Sequence, residues 1–318
     1  FLLLFFTALA VDGFGQVYLI NEGFEGGSIP PSGWTNSSGG FIINNVAFKT
    51  GAYCMASNGV NDAIYTPRLS RPGTLTFYYK RSGTAPSNPN YKVQYSTNTT
   101  SWTDIGSITT FTTTYTSFTA DLSSYSDIYI RIIDLRTSGT NLIYVDDFTV
   151  TTKEPTLQSS SLGFSSISTS GMTINWTNGN GANRAVFVKE TAGTITAPTD
   201  GSTYLASADW NNKETQLGTS GYYCVYNGTG SSVTLTNLAE NTEYFVYVYE
   251  YNGSGTSANY LVTDPLNGSE STIASGSPSL TVSSASLESF GNIGVGSESG
   301  QKNFTVSGST AQNYVSLL

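Results

Sequence analysis

The chain has 318 residues, with 13 basic and 22 acidic side chains, a formal net charge of -9 and no histidine. This balance excludes an electrostatic footprint for nucleic acid. The absence of histidine removes the usual general base for serine or cysteine nucleophiles and the commonest zinc ligand. Only 11% of residues are charged, while Gly numbers 33 and Tyr 21, a bias toward pleated strands and turns. The expected fold class is all-β, as tandem β-sandwiches, and the length accommodates about two full domains.

Residues 1–16, FLLLFFTALAVDGFGQ, form a short apolar run ending in small residues. Such a run reads as the remnant of a secretory signal peptide and is too short to span a membrane. No Cys follows it, so no lipid-anchor site is expected, and the mature chain is expected to begin near Gln16 or Val17. The setting predicted is secreted, extracellular or outer cell surface, with no transmembrane segment.

Residues 17–153 hold short β-rich runs separated by turn residues, among them VYLINEGF, GAYCMAS, GTLTFYYKR, YKVQYSTN, DIYIRIIDL and LIYVDDFTV. Their number and spacing predict a two-sheet sandwich. Within LIYVDDFTV, regular alternation places Asp146 with Tyr144, Phe148 and Val150, and Asp147 with Val145 and Thr149. One of the two carboxylates must then face apolar neighbours, where a charge needs a partner. Glu25 of NEGFEGG is the nominated partner, with a structural calcium ion between the acids. A carboxylate pair satisfied by backbone N–H groups, with no ion, is the other reading. Five aromatic residues, Tyr78, Tyr79, Tyr91, Tyr95 and Trp102, lie on runs that would neighbour one another. An exposed face carrying Tyr79, Tyr91, Tyr95 and Trp102 would stack sugar rings. Since Tyr78 and Tyr79 alternate across the strand, at least one of them belongs to the core. Lys80, Arg81 and Lys92 are too few for a polyanion site.

The segments FEGGSIPPSGWT, GAYCMAS, TLTFYYKR and YVDDFTV together resemble the choice-of-anchor J jelly-roll modules, related to cleaved-adhesin and MAM-like domains. That resemblance implies a structural calcium held by the early Glu and the late Asp, here Glu25 and Asp146, with Asp147 as substitute. TNSSGG after Trp34 departs from the Asp-rich loop of that group, so no second metal is expected there.

After the polar linker TTKEPTLQSSS, residues 157–273 restart the pattern. Trp176 in INWT and the LTNLAENTEYFVYVYEYN segment resemble a fibronectin type III domain. The resemblance implies a buried Trp176 and a tyrosine corner made by Leu238 and Tyr244, the Tyr hydroxyl bonding back to the chain. An insertion, TAGTITAPTDGSTYLASADWNNKETQLGTSG, offers Tyr204 and Trp210 as contact residues, or simply decorates the sandwich. Residues 277–318 resemble the start of an Ig-like, ASH-type domain that is too short to close alone.

Cys54 and Cys224 fall in separate units within apolar runs, and read as two buried thiols in preference to one bridge. Glu22, Glu25, Asp134, Asp146 and Asp147 are the acids a glycosidase would need, but they sit within strand-like runs and not around a cleft. The expected protein is a non-catalytic adhesion or binding scaffold for an extracellular glycan or protein, and the resemblance implies a setting among the type IX secretion substrates of Gram-negative bacteria, where similar modules occur. The alternative is a set of accessory, carbohydrate-binding modules of a secreted hydrolase whose catalytic domain lies beyond residue 318.

Overall fold

Period-two burial runs through the longest strands of the first unit. In Asp127–Asp134 the isoleucines at 128, 130 and 132 are buried while Tyr129, Arg131 and Ile133 are half-buried, as a strand with one core face requires. The computed structural model describes residues 16–36, 40–83, 89–110, 112–137, 142–275, 279–282 and 306–309. Nearly all of the described structure is strand, turn or loop, with two short 3₁₀ turns at Trp210–Asn212 and Gly255–Ser257. Among the described residues no helix is long and apolar enough to cross a membrane.

The first twelve strands are β1 (Tyr18–Glu22), β2 (Thr35–Asn36), β3 (Ile42–Asn44), β4 (Cys54–Ala56), β5 (Ala63–Tyr65), β6 (Leu69–Ser70), β7 (Pro72–Arg81), β8 (Tyr91–Ser96), β9 (Thr103–Ile108), β10 (Thr116–Asp121), β11 (Asp127–Asp134) and β12 (Ile143–Thr152). They form two six-stranded antiparallel sheets. One is ordered β10-β7-β12-β4-β3 with β1 also on β12, and the other β2-β5-β11-β8-β9 with β6 also on β11. Their inner faces share one core that includes Trp34, Leu75, Phe77, Val93, Ile130, Ile132, Phe148 and Val150. Phe77 stacks on Phe148 at 5.6 Å and on Phe118 at 5.0 Å.

The expected alternation of Leu142–Val150 breaks at the acids. Ile143 and Val145 are buried, and so are Phe148 and Val150, which are of opposite parity. The register against β7 slips by one residue between Asp146 and Thr149, and Asp147 takes φ 48°. This is a β-bulge whose extra residue uses the left-handed region that Asp tolerates better than most side chains. Asp146 therefore does not share a face with Phe148 and Val150. It sits in the bulge, fully buried.

The next eight strands are β13 (Ser160–Ser165), β14 (Met172–Thr177), β15 (Asn183–Glu190), β16 (Tyr223–Gly228), β17 (Ser232–Leu235), β18 (Glu243–Asn252), β19 (Asn259–Tyr260) and β20 (Leu266–Ser271). They make a three-stranded sheet, β13-β14-β17, and a five-stranded sheet, β16-β15-β18-β19 with β20 on β18. Trp176 is buried, its ring 5.3 Å from Tyr226. Tyr244 is fully buried and its hydroxyl accepts a hydrogen bond from the Ala239 amide at 2.8 Å, beside buried Leu238, closing the corner.

The five-stranded sheet is covered on both faces. Val186, Val188, Tyr244, Val246 and Val248 face the three-stranded sheet. On the other side Ala185, Phe187, Tyr249 and Tyr251 pack against Tyr204, Leu217, Tyr222 and Tyr260. The insertion supplies Tyr204 and Leu217 to this layer, so Tyr204 is a core residue and not a surface contact. Trp210 is buried too: its ring meets Tyr244 edge-on at 5.3 Å and its indole N–H donates to Glu190.

Inside the second sandwich, Arg184 and Glu250 form a buried ion pair. The Glu250 carboxylate accepts from Arg184 Nε (2.8 Å) and Nη2 (3.0 Å), the Gly179 and Gly181 amides, and the Ser159 hydroxyl. Cys54 and Cys224 are both free and buried, as expected of thiols used as small apolar side chains. Of the third unit, β21 (Ser279–Val282) and β22 (Val306–Ser309) pair antiparallel. The signal-like residues 1–15 and the rest of 277–318 lie outside the described residues.

Candidate functional site

Two places in the first sandwich gather polar or aromatic groups: the bulge in β12, and the outer face of the sheet built on β11.

At the bulge, three carboxylates divide among themselves the donors of one loop, residues 45–53 between β3 and β4. Asp146 Oδ2 accepts from the Lys49 amide (2.7 Å) and the Thr50 amide (3.2 Å), and its Oδ1 from the Asp147 amide (2.8 Å). Glu25 accepts from the Ala52 amide (2.8 Å) and the Tyr53 amide (3.3 Å). Asp147 is held by the Lys49 ammonium at 2.8 Å and by the Thr50 hydroxyl. Gly51 is required here, since it takes φ 63° and a Cβ would lie 2.1 Å from Glu25 Oε1.

Burial pushes the Asp146 carboxyl above the usual range, against the backbone donors that favour its ionised form. The hydrogen bond that the Lys49 ammonium donates to Asp147 raises the pKa of the lysine. Among the described residues no three His, Cys, Asp or Glu side chains converge as a metal cage. Asp147, with a lysine on one oxygen and a hydroxyl on the other, does not fit a divalent ion. Asp146 fits better: it is buried, its hydrogen bonds are all from backbone amides, and no cationic side chain bonds to it.

The glycan-stacking residues expected from the sequence do not share a surface. Tyr91 is fully buried, its hydroxyl bonded to Ser57 Oγ at 2.9 Å and accepting from the Ile143 amide at 3.2 Å. Tyr79 and Tyr95 are packed against the core, on strands of different sheets. The reason is parity: Tyr79 follows Leu75 and Phe77 on β7, and Tyr95 follows Tyr91 and Val93 on β8.

Trp102 is the member that lies outside. Its ring centre is 5.6 Å from that of Tyr65, which is 6.3 Å from Tyr129, and Arg131 places its guanidinium 4.4 Å over the indole. The register explains the grouping, because Tyr65 and Gln94 both stand opposite Arg131 on the strands flanking β11. The indole N–H donates to the Thr99 carbonyl at 3.1 Å, fixing the ring. Beside the aromatic group, Arg131 Nε donates to Gln94 Oε1 (2.7 Å), and Asp104 accepts from Gln94 Nε2 (2.7 Å) and Lys92 Nζ. Those two donors hold the Asp104 carboxyl below its ordinary range. Tyr65, Tyr129 and Arg131 are the members that the sequence reading passed over. The alternation in DIYIRIID was the available signal.

The other acids considered for glycosidic chemistry are engaged structurally. Asp134 is buried with Arg136, whose Nε lies 2.8 Å from Oδ1, and Glu22 accepts from the Phe24 amide at 2.6 Å.

No protein-family model matches the chain, and no curated protein matches it. Among solved structures, the chain is similar to the K3 cleaved adhesin domain of Lys-gingipain from Porphyromonas gingivalis W83, with 19% identity, TM-score 0.38, and coverage of 42% of this chain and 99% of that one. It is similar also to the CBM22-1 xylan-binding domain of Paenibacillus barcinonensis Xyn10C, at 14% identity and TM-score 0.35, covering 44% and 96%. A third similarity is to an FN3 domain of human collagen XX, at 20% identity and TM-score 0.24, covering 38% and 95%. At these identities and scores none of the three decides what the chain binds.

Proposed function

We propose that the chain is a non-catalytic extracellular binding scaffold whose first sandwich presents the Tyr65, Trp102 and Tyr129 face to a glycan. The observation that carries this reading is the cluster of three half-buried aromatic rings on the outer face of a sheet, one of them pinned by its indole N–H. Aromatic side chains left on a sheet surface keep apolar area available to a partner, and the rigid ring faces match the C–H faces of pyranose rings. A glycan array with the whole chain tests the reading. Trp102→Ala is expected to reduce retention by about tenfold, which corresponds to roughly 1.4 kcal/mol, without altering the melting of the second sandwich. Equal retention of the variant would discard this face.

The proposal includes a calcium ion stabilising the first sandwich. Glu25 and Asp146 would hold it, with Asp147 excluded by Lys49. The ion would supply the buried Asp146 with the positive charge that its amide partners cannot.

A further inference from the structure

We infer that the aromatic face selects an acidic sugar, a uronate, whose carboxylate docks on Arg131. This rests on the reading of the face as a glycan platform. Arg131 spends Nε on Gln94, and its guanidinium carbon lies 4.4 Å from the centre of the Trp102 ring. No described residue accepts a hydrogen bond or forms an ion pair with its Nη1 or Nη2. The two remaining nitrogens, Nη1 and Nη2, form the end of a planar fork, the geometry that receives both oxygens of a carboxylate.

The charge balance around it points the same way. Lys92 and Asp104 neutralise one another in an ion pair, and Gln94 bridges Asp104 to Arg131. Arg131 feels Asp104 at a distance, through Gln94, but forms no direct ion pair, so the Lys92, Asp104 and Arg131 group carries one excess positive charge. Arg131 is half-buried, and that burial lowers its pKa against the opposing effect of Asp104; an anion gains more from a partly desolvated cation than from a fully solvated one. A neutral sugar would need only hydroxyl or amide partners. An arginine oriented by Gln94 and the indole is a more demanding fixture, and the half-buried Tyr65 and Trp102 rings beside it leave apolar surface next to the fork for the ring that carries the carboxylate.

The test uses the full chain and matched pairs of polysaccharides: polygalacturonate, polymannuronate and hyaluronan, each beside its carboxyl-reduced form, compared by affinity electrophoresis and calorimetry. At least one uronate is expected to bind about tenfold or more tightly than its reduced partner, with the difference shrinking as salt is raised. Arg131→Gln should abolish the difference, and Arg131→Lys should keep part of it; thermal melting of both variants establishes that they fold. Equal binding of charged and neutral partners by the parent, or a difference that survives in Arg131→Gln, overturns the inference. In either case loss of binding in Trp102→Ala would leave the platform intact. Failure of every charged and neutral polymer to bind removes both the inference and the glycan reading beneath it.

Discussion

Replacing Glu250 by Ala should be among the most damaging single changes in the second sandwich. The side chain is fully buried and accepts five hydrogen bonds, two from Arg184, two from the amides of Gly179 and Gly181, and one from Ser159. Arg184 is 5% exposed and keeps only carbonyl partners, Gly181 and Thr229, once the carboxylate is gone. Removing one member of a buried pair costs about 3–5 kcal/mol, because the other charge is left without compensation. The orphaned amides add to this, since each unsatisfied buried donor costs about 1–3 kcal/mol. The expected loss is thus at least about 4 kcal/mol, a drop of roughly 10–20 °C in the midpoint for a domain of this size. The assay is urea and thermal unfolding followed by tryptophan fluorescence, with Trp176 and Trp210 reporting on this unit. Replacing both partners, Arg184→Met with Glu250→Leu, should recover only part of the loss, because Gly179 and Gly181 still lack an acceptor. A Glu250→Ala loss below about 1 kcal/mol would refute the reasoning, as that is the scale of an exposed pair.

Three further outcomes are expected. Tyr244→Phe removes the acceptor for the Ala239 amide and should cost about 1 kcal/mol, read from chemical denaturation. Burial raises the Cys54 thiol to about 11 and Cys224 to about 12, so neither should react with a thiol reagent at neutral pH until the chain is unfolded; rapid labelling of the folded chain would contradict the packing. In chelator, the folded pKa of Asp146 exceeds its unfolded value, so its contribution to stability is complete below the ordinary carboxylate range and is lost as pH rises through the raised value. Asp146→Asn should remove that step, whereas calcium should raise the midpoint of the parent and leave Asp146→Asn and Glu25→Gln unmoved. A parent midpoint that ignores both calcium and chelator would dispose of the ion.

Much of the strand pattern could be read directly from the residues. Ile128, Ile130 and Ile132 mark the core face of β11 by strict alternation, and Tyr244 with Leu238 marks the corner of the second sandwich. The bulge in β12 was not legible, because no glycine announces it. Asp147 enters the left-handed region on its own, and only pairing with β7, far away in sequence, reveals the extra residue. The aromatic site was legible only in part. Tyr79, Tyr91 and Tyr95 lie in aromatic-rich runs, but their parity with Phe77 and Val93 turns them inward. Trp102 precedes its strand, and its position over Arg131 and beside Tyr65 depends on the order β5-β11-β8-β9. Tyr204 and Trp210, offered as contact candidates, are buried, because the insertion folds back onto the sandwich and packs both rings into its cores.

The layer under that insertion changes which substitutions the second sandwich can absorb. On β14, buried Met172, Ile174 and Trp176 alternate with accessible Thr173 and Asn175, so replacements should be tolerated at every other position. On β18 the run from Val248 to Asn252 is buried at every residue. A saturation scan should therefore show a two-residue rhythm along β14 and an unbroken block of intolerance along the second half of β18, with the block softening if the 191–221 insertion is deleted.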